Sequence, residues 1–203
     1  MDEIILVGAG GHARSCIDVL EEENQFEIAG LIEKDESISN LSLSYPVIGT
    51  DNDLQDLRKK YDYALITVGQ IKSPEIRIRL YDILNQLDYF LPCIISPKAY
   101  VSKHAQIKAG TIIMHGAIVN ASAKIGKNCI INSKALIEHD AIIGDHCHIA
   151  TGAIVNGEVT VGSKSLIGSG VVTIQCISIG SNCTIGAGVV LKSDIESNQI
   201  IRK

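Results

Sequence analysis

The sequence predicts a small α/β domain followed by a left-handed parallel β-helix. Three observations carry the prediction. Strand and helix signals alternate through the first 95 residues, a glycine-rich turn joins the first strand to the first helix, and beyond Ser96-Pro97 aliphatic residues recur every sixth position. The expected division is a Rossmann-like unit over residues 1–95 and a β-helix over 96–203.

The elements follow in order. Glu3 to Val7 (EIILV) is a short apolar strand ending in Gly8-Ala9-Gly10-Gly11-His12-Ala13. The stretch after it carries Cys16, Val19 and Leu20 at helical spacing, and Ile28 to Ile32 gives a second strand. Tyr63 to Val68 is a third, closed by Gly69-Gln70. Pro74 to Leu87 reads as an amphipathic helix with Ile76, Leu80, Ile83 and Leu84 spaced for burial, and Phe90 to Ile95 as a last strand. Alternation of this kind implies a parallel sheet with ligands at the carboxyl ends of its strands.

Stepping by six from Val101 to Leu191 meets sixteen positions, of which all but Thr173 are aliphatic, and the phase never slips. Four residues after each lies a series of small residues: Ala105, Thr111, Ala117, Ala123, Cys129, Ala135, Ala141, Cys147 and Ala153. Neither a helix nor a plain strand has this period. An unbroken hexapeptide repeat builds one short face of a triangular prism per repeat, three to a coil.

Composition narrows the partners. The net charge is −5, whereas nucleic-acid binding wants a basic stripe. No stretch approaches the ~20 apolar residues of a membrane helix, and the N-terminus has no basic region before an apolar one, so a cytoplasmic protein with no membrane insertion is expected. The six cysteines form no CxxC pair and read as reduced thiols.

Two places invite chemistry. Gly8 to Ala13 matches G-x-G-x-x-A, in which glycines let the backbone approach a phosphate at a helix N-terminus, with Glu33 near the place of a ribose-binding acid. One mononucleotide unit suits a nucleoside diphosphate bearing another group; the alternative is a tight turn without a ligand. In the repeats, His139-Asp140 stands at a corner, where a carboxylate can orient an imidazole and raise its basicity; the alternative is a solvated corner histidine. His148 lies nine residues on, half a coil away, so only a neighbouring subunit of a threefold assembly would unite the two. Zinc held by His139, His146 and His148 is a third reading, but their spacing does not favour it and no metal is expected. The remaining His104 and His115 read as ordinary surface or structural residues.

With VGAGGHA, TVGQ and NSKALIEHDAIIGDHCHIATGA in place, the chain resembles the PglD/NeuD group of bacterial sugar acetyltransferases over nearly its whole length. The resemblance implies an acetyl-CoA-dependent N-acetyltransferase of a UDP-linked 4-amino sugar in glycan biosynthesis, acting as a homotrimer. Sialic acid O-acetylation and a non-catalytic trimeric sugar-nucleotide-binding protein are the alternatives. It implies His139 as general base supported by Asp140, and His148, Gly157, Ser169 and Ala187 as contacts to acetyl-CoA. Gly10, Gly11, His12, Glu33, Lys34, Gly69 and Asn132 would hold the nucleotide-sugar. Three departures stand out: Asp140 replaces a glutamate, Glu33-Lys34-Asp35 replaces paired aspartates, and the family's C-terminal Gly-x-Pro-Ala segment is not in the sequence.

Overall fold

The computed structural model describes residues 1–34 and 44–202; Asp35 lies outside them. The chain divides into two compact units, Met1–Ile94 and Ile95–Lys203. Among the described residues no helix is long and apolar enough to cross a membrane.

The first unit is a four-stranded parallel sheet with helices. Its elements are β1 (Asp2–Val7), α1 (Gly11–Glu23), β2 (Phe26–Ile32), β3 (Val47–Gly49), a 3₁₀ turn (Asp51–Asp53), α2 (Leu54–Leu57), β4 (Tyr63–Ile66) and α3 (Glu75–Gln86). The strand order is β3-β2-β1-β4, all parallel, so the chain reverses direction across the sheet at β1. That reversal is where an open α/β sheet leaves a crevice for ligands. Ile4 to Val7 are all buried, as the central strand of a parallel sheet covered on both faces requires. Helix α1 buries Ala13, Cys16, Ile17, Val19 and Leu20 along one stripe and stops at Asn24, which adopts the left-handed conformation and donates its N–H to Leu20 O.

Two expectations for this unit are corrected. Helix α3 buries Arg77, Leu80, Tyr81 and Leu84, whereas Ile76 is 55% exposed. The buried face is rotated because the Arg77 guanidinium has a task inside: Nη1 donates to Ile66 O at 2.9 Å and to Val68 O at 2.6 Å, satisfying carbonyls at the end of β4. A buried charge is tolerated only with such partners. The expected strand Phe90–Ile95 does not close the sheet: only Phe90 bridges Tyr63, and Ile94–Ile95 is a separate two-residue strand.

In the second unit two-residue strands stack into three parallel faces, residues pairing with those eighteen positions on, as in Lys124 with Ile142 and Ile131 with Ile149, until the last coil, where Thr184 pairs with Ile200 sixteen positions on. The first face runs from Tyr100–Val101 to Val190–Leu191, the second from Gln106–Ile107 to Ser178–Ile179, and the third ends at Ile200–Ile201. The aliphatic series fills the interior, fully buried through most of its length. Thr173, its one polar member, is buried and accepts the Asn156 N–H on Oγ1 at 3.0 Å.

The corners share one backbone device. From residue 110 to residue 188, every sixth residue is left-handed, with φ from 53° to 71°. Glycine, asparagine and aspartate adopt this conformation at least cost, and Gly110, Asn128 and Asp140 are among those present. The corner before the third face also explains the cysteine spacing. Thr111, Cys129, Cys147, Ser165 and Cys183 form one column there, eighteen residues apart. Each donates to a carbonyl on the next coil, as Cys147 Sγ does to Gly162 O at 3.2 Å. Burial pushes the Cys147 thiol well above its ordinary pKa, so it stays protonated and structural.

Candidate active site

His139 and Asp140 occupy the corner between the first and second faces, directly after the strand Leu136–Ile137. Because Asp140 is left-handed there (φ 59°), its carboxylate turns back toward its neighbour, and His139 Nδ1 lies 2.9 Å from Asp140 Oδ2. The shorter acid thus reaches the ring directly. With Nδ1–H donating to the carboxylate, Nε2 keeps its lone pair. The pair is exposed, with 59% and 56% of the two side chains accessible. The imidazole pKa is raised above its usual value, first by the hydrogen bond to Asp140, against slight desolvation, and then by the charges of Asp140, Glu138 and Glu158.

One coil on, Gly157 lies directly under the ring. A Cβ there would stand 2.8 Å from His139 Nε2 and 2.9 Å from Cε1, so no side chain fits while the ring keeps its place. The Gly157 N–H has no partner among the described residues. His139 and Gly157 line a cleft of about 390 Å³ with Glu138, Asn156, Glu158 and Cys176. Glu138 is itself engaged, accepting from Asn120 Nδ2 at 2.8 Å. These neighbours were not singled out in the sequence; their signal is the eighteen-residue coil, which sets Glu158 beneath Asp140 and Cys176 beneath Glu158.

The other coenzyme candidates lie elsewhere in the repeats. His148 is buried on the third face, where Asn132 Nδ2 approaches its Nε2 at 3.1 Å, so these two are brought together while His139 is not with them. Ser169 and Ala187 stack at the corner between the third and first faces, with Gly188 N–H donating to Ser169 O. His146 stands at the remaining corner, 3.0 Å from Asn128. His139, His146 and His148 therefore occupy three different parts of the repeat, and among the described residues no group of acids, histidines or cysteines is arranged to hold a metal.

In the first unit, Gly8 is glycine for a structural reason: its φ is +115° and a Cβ would sit 2.6 Å from Val68 Cγ2. Gly10 and Gly11 differ, since a Cβ on either meets nothing within 4 Å and neither has positive φ. The chain's own packing does not require glycine at those two places. Gly69 approaches His12, whose Cβ would be 3.4 Å from one built at Gly69. Glu33 Oε2 accepts the Ala9 N–H at 2.8 Å and Oε1 that of Lys34 at 2.9 Å, tying the end of β2 to the glycine turn. Glu33 and Lys34 border a crevice of about 650 Å³ that runs from Val7 and Gly8 past Ile32 to Thr50, Asp51 and Arg79. The crevice's far end was not read from the sequence, where Val47–Gly49 and the turn after it gave no distinct pattern.

Comparison with known proteins supports both units. Residues 3–84 match the PglD N-terminal domain; residues 104–139 and 122–157 match the bacterial transferase hexapeptide, and residues 158–193 the hexapeptide repeat of succinyl-transferase. No curated protein matches the sequence. Among solved structures, perosamine N-acetyltransferase from Caulobacter crescentus, in complex with CoA and GDP-perosamine, is 27% identical with a TM-score of 0.92, covering 98% of this chain and 93% of that one. The acetyltransferase domain of PglB from Neisseria gonorrhoeae, in complex with acetyl coenzyme A, is 29% identical with a TM-score of 0.90, covering 98% and 94%. WeeI from Acinetobacter baumannii, 22% identical with a TM-score of 0.85 over 100% and 97%, shares the fold. The repeats and these likenesses define a hexapeptide-repeat acyltransferase. A PglD N-terminal domain ahead of hexapeptide repeats, together with these likenesses, supports a PglD-type sugar acetyltransferase.

Proposed function

We propose that the protein transfers the acetyl group of acetyl-CoA to the amine of a nucleotide-linked amino sugar. It does so in the cytoplasm, as a homotrimer with sites in the clefts between neighbouring β-helices. The observation that carries this reading is the exposed His139–Asp140 pair over a glycine that leaves room for nothing but the ring. His139 Nε2 takes a proton from the amine as its nitrogen attacks the thioester carbonyl. The N–C bond forms, the oxyanion meets the Gly157 N–H, the C–S bond breaks, and the imidazolium proton passes to the departing thiolate. The acetamido sugar and CoA thiol leave, and the histidine is neutral again.

Glu138 and Glu158 favour an amine over a hydroxyl acceptor, since the amine arrives as an ammonium, which loses one proton to solvent before the neutral amine attacks. The open space at Gly10 and Gly11 suits a diphosphate against the α1 N-terminus. In this reading Glu33, Lys34, His12 and Gly69 border the nucleotide and Ser169 and Ala187 the coenzyme, while the neighbouring subunit supplies His148 to the coenzyme and, hydrogen-bonded beside it, Asn132 to the acceptor. The trimer is supported by an apolar column along the first face. Tyr100, Ile118 and Val190 are exposed at its ends and Leu136, Ile154 and Val172 half-buried between them. Two solved relatives hold acetyl coenzyme A, or CoA with GDP-perosamine. The family resemblance points to UDP and that relative to GDP.

The test is thiol release from acetyl-CoA with a panel of nucleotide-linked amino sugars and free sialic acid, the product read by mass spectrometry. Acetylation of free sialic acid as fast as, or faster than, every nucleotide-linked amino sugar defeats the reading. Light scattering that finds a fully active monomer defeats the shared site.

A further inference from the structure

The far end of the crevice in the first unit holds a combination that folding alone does not explain. Ile76, on a helix whose other large apolar residues are buried or half-buried, stays 55% exposed and lines the crevice beside Leu80. An apolar wall left open to water beside a polar rim suits a flat, largely apolar ring with polar edges. Across the rim, Thr50 donates both N–H and Oγ1–H to Asp53 Oδ2, each at 2.8 Å, which fixes the turn carrying Asp51. Asp51 Oδ2 in turn accepts Arg79 Nη2 at 2.9 Å. Asp51 is the more enclosed partner, with 24% of its side chain accessible against 56% for Arg79. The remaining Asp51 oxygen, and the other guanidinium N–H groups of Arg79, have no partner among the described residues.

From this we infer that the Asp51–Arg79 pair reads the base of the nucleotide and selects guanine; the inference rests on the nucleotide-sugar reading above. The pair offers a charged acceptor beside a charged donor. It is matched by a base edge that carries two adjacent N–H donors next to an acceptor oxygen. Guanine has that edge, with N1–H and N2–H facing the carboxylate and O6 facing the guanidinium. Uracil sets one N–H between two carbonyl oxygens, so the carboxylate would meet an acceptor. Cytosine and adenine give the carboxylate only their exocyclic amine, with ring acceptors beyond it. A site whose polar groups go unpaired with the wrong ligand discriminates far more than one missing an apolar contact. The same crevice is lined by Gly8 of the glycine turn and by Glu33 after β2, the places that the nucleotide-sugar reading gives to phosphate and ribose.

Calorimetric titration of the full-length protein with GDP, UDP, CDP and ADP tests this. GDP is expected to bind at least tenfold more tightly than the other three. Asp51→Asn is expected to weaken GDP by about tenfold while leaving UDP within twofold; Arg79→Gln gives the same pattern through O6, and thermal melts verify that both variants fold. UDP binding as tightly as GDP, or an equal loss of both in Asp51→Asn, overturns the base assignment and leaves the nucleotide-sugar reading standing. Failure of all four diphosphates to bind overturns both.

Discussion

Gly157→Ala isolates the geometry of the proposed general base. The backbone at Gly157 is not in the left-handed region, so alanine brings no conformational strain and adds one methyl. That methyl would lie 2.8 Å from His139 Nε2, about 0.7 Å inside the ~3.5 Å at which such atoms make favourable contact. The ring carries most of its surface in solvent, so it yields by swinging outward and the fold bears little of the cost. Displacing a reacting group by about 1 Å costs on the order of 10²-fold in rate, or about 2.7 kcal/mol of barrier. We therefore expect kcat for thiol release to fall by roughly 10²-fold with the melting temperature almost unchanged. In a His139→Ala background the same methyl should do nothing further, because the group it displaces is gone. A single Gly157→Ala enzyme within about threefold of wild type, or a full additional loss in the His139→Ala background, refutes the arrangement.

Four more outcomes follow from the structure. His139→Ala should lose roughly 10²–10⁴-fold in turnover with its fold intact, checked by steady-state rates and circular dichroism. Asp140→Asn removes the chief cause of the raised His139 pKa. A base works only when neutral, so the acid limb of the kcat/KM profile, which a raised pKa pushes upward, should move to lower pH; an unmoved limb would deny the carboxylate its role. Gly11→Asp enters open space in the folded chain, so it should raise KM for the nucleotide-sugar with little change for acetyl-CoA, and equal changes in both would remove the loop from acceptor binding. Ile167→Ala, in the β-helix interior, should cost about 2–5 kcal/mol in urea unfolding without altering KM for either substrate.

The sequence by itself determined the repeat and what the repeat forces. A six-residue aliphatic period leaves one inward direction per strand, so the interior column from Ile113 to Leu191 and the outward corner at His139-Asp140 both followed from counting. The first strand, its glycine turn and the helix after it were equally legible, because burial on both sides of β1 and one stripe on α1 are local patterns. Tertiary structure decided whatever depends on a partner far along the chain. Arg77 displaced Ile76 from the buried face of α3 because two carbonyls at the end of β4 needed a donor, and periodicity does not record that demand. Thr173 broke the aliphatic series at no cost because the Asn156 N–H meets it. The need for glycine at position 157 came from a ring eighteen residues earlier, and the turn at Thr50 to Asp53 became one wall of a crevice only when α3 was set against it. Period and polarity are properties of neighbours in sequence. Hydrogen-bond satisfaction and van der Waals exclusion act between atoms that only folding brings within reach.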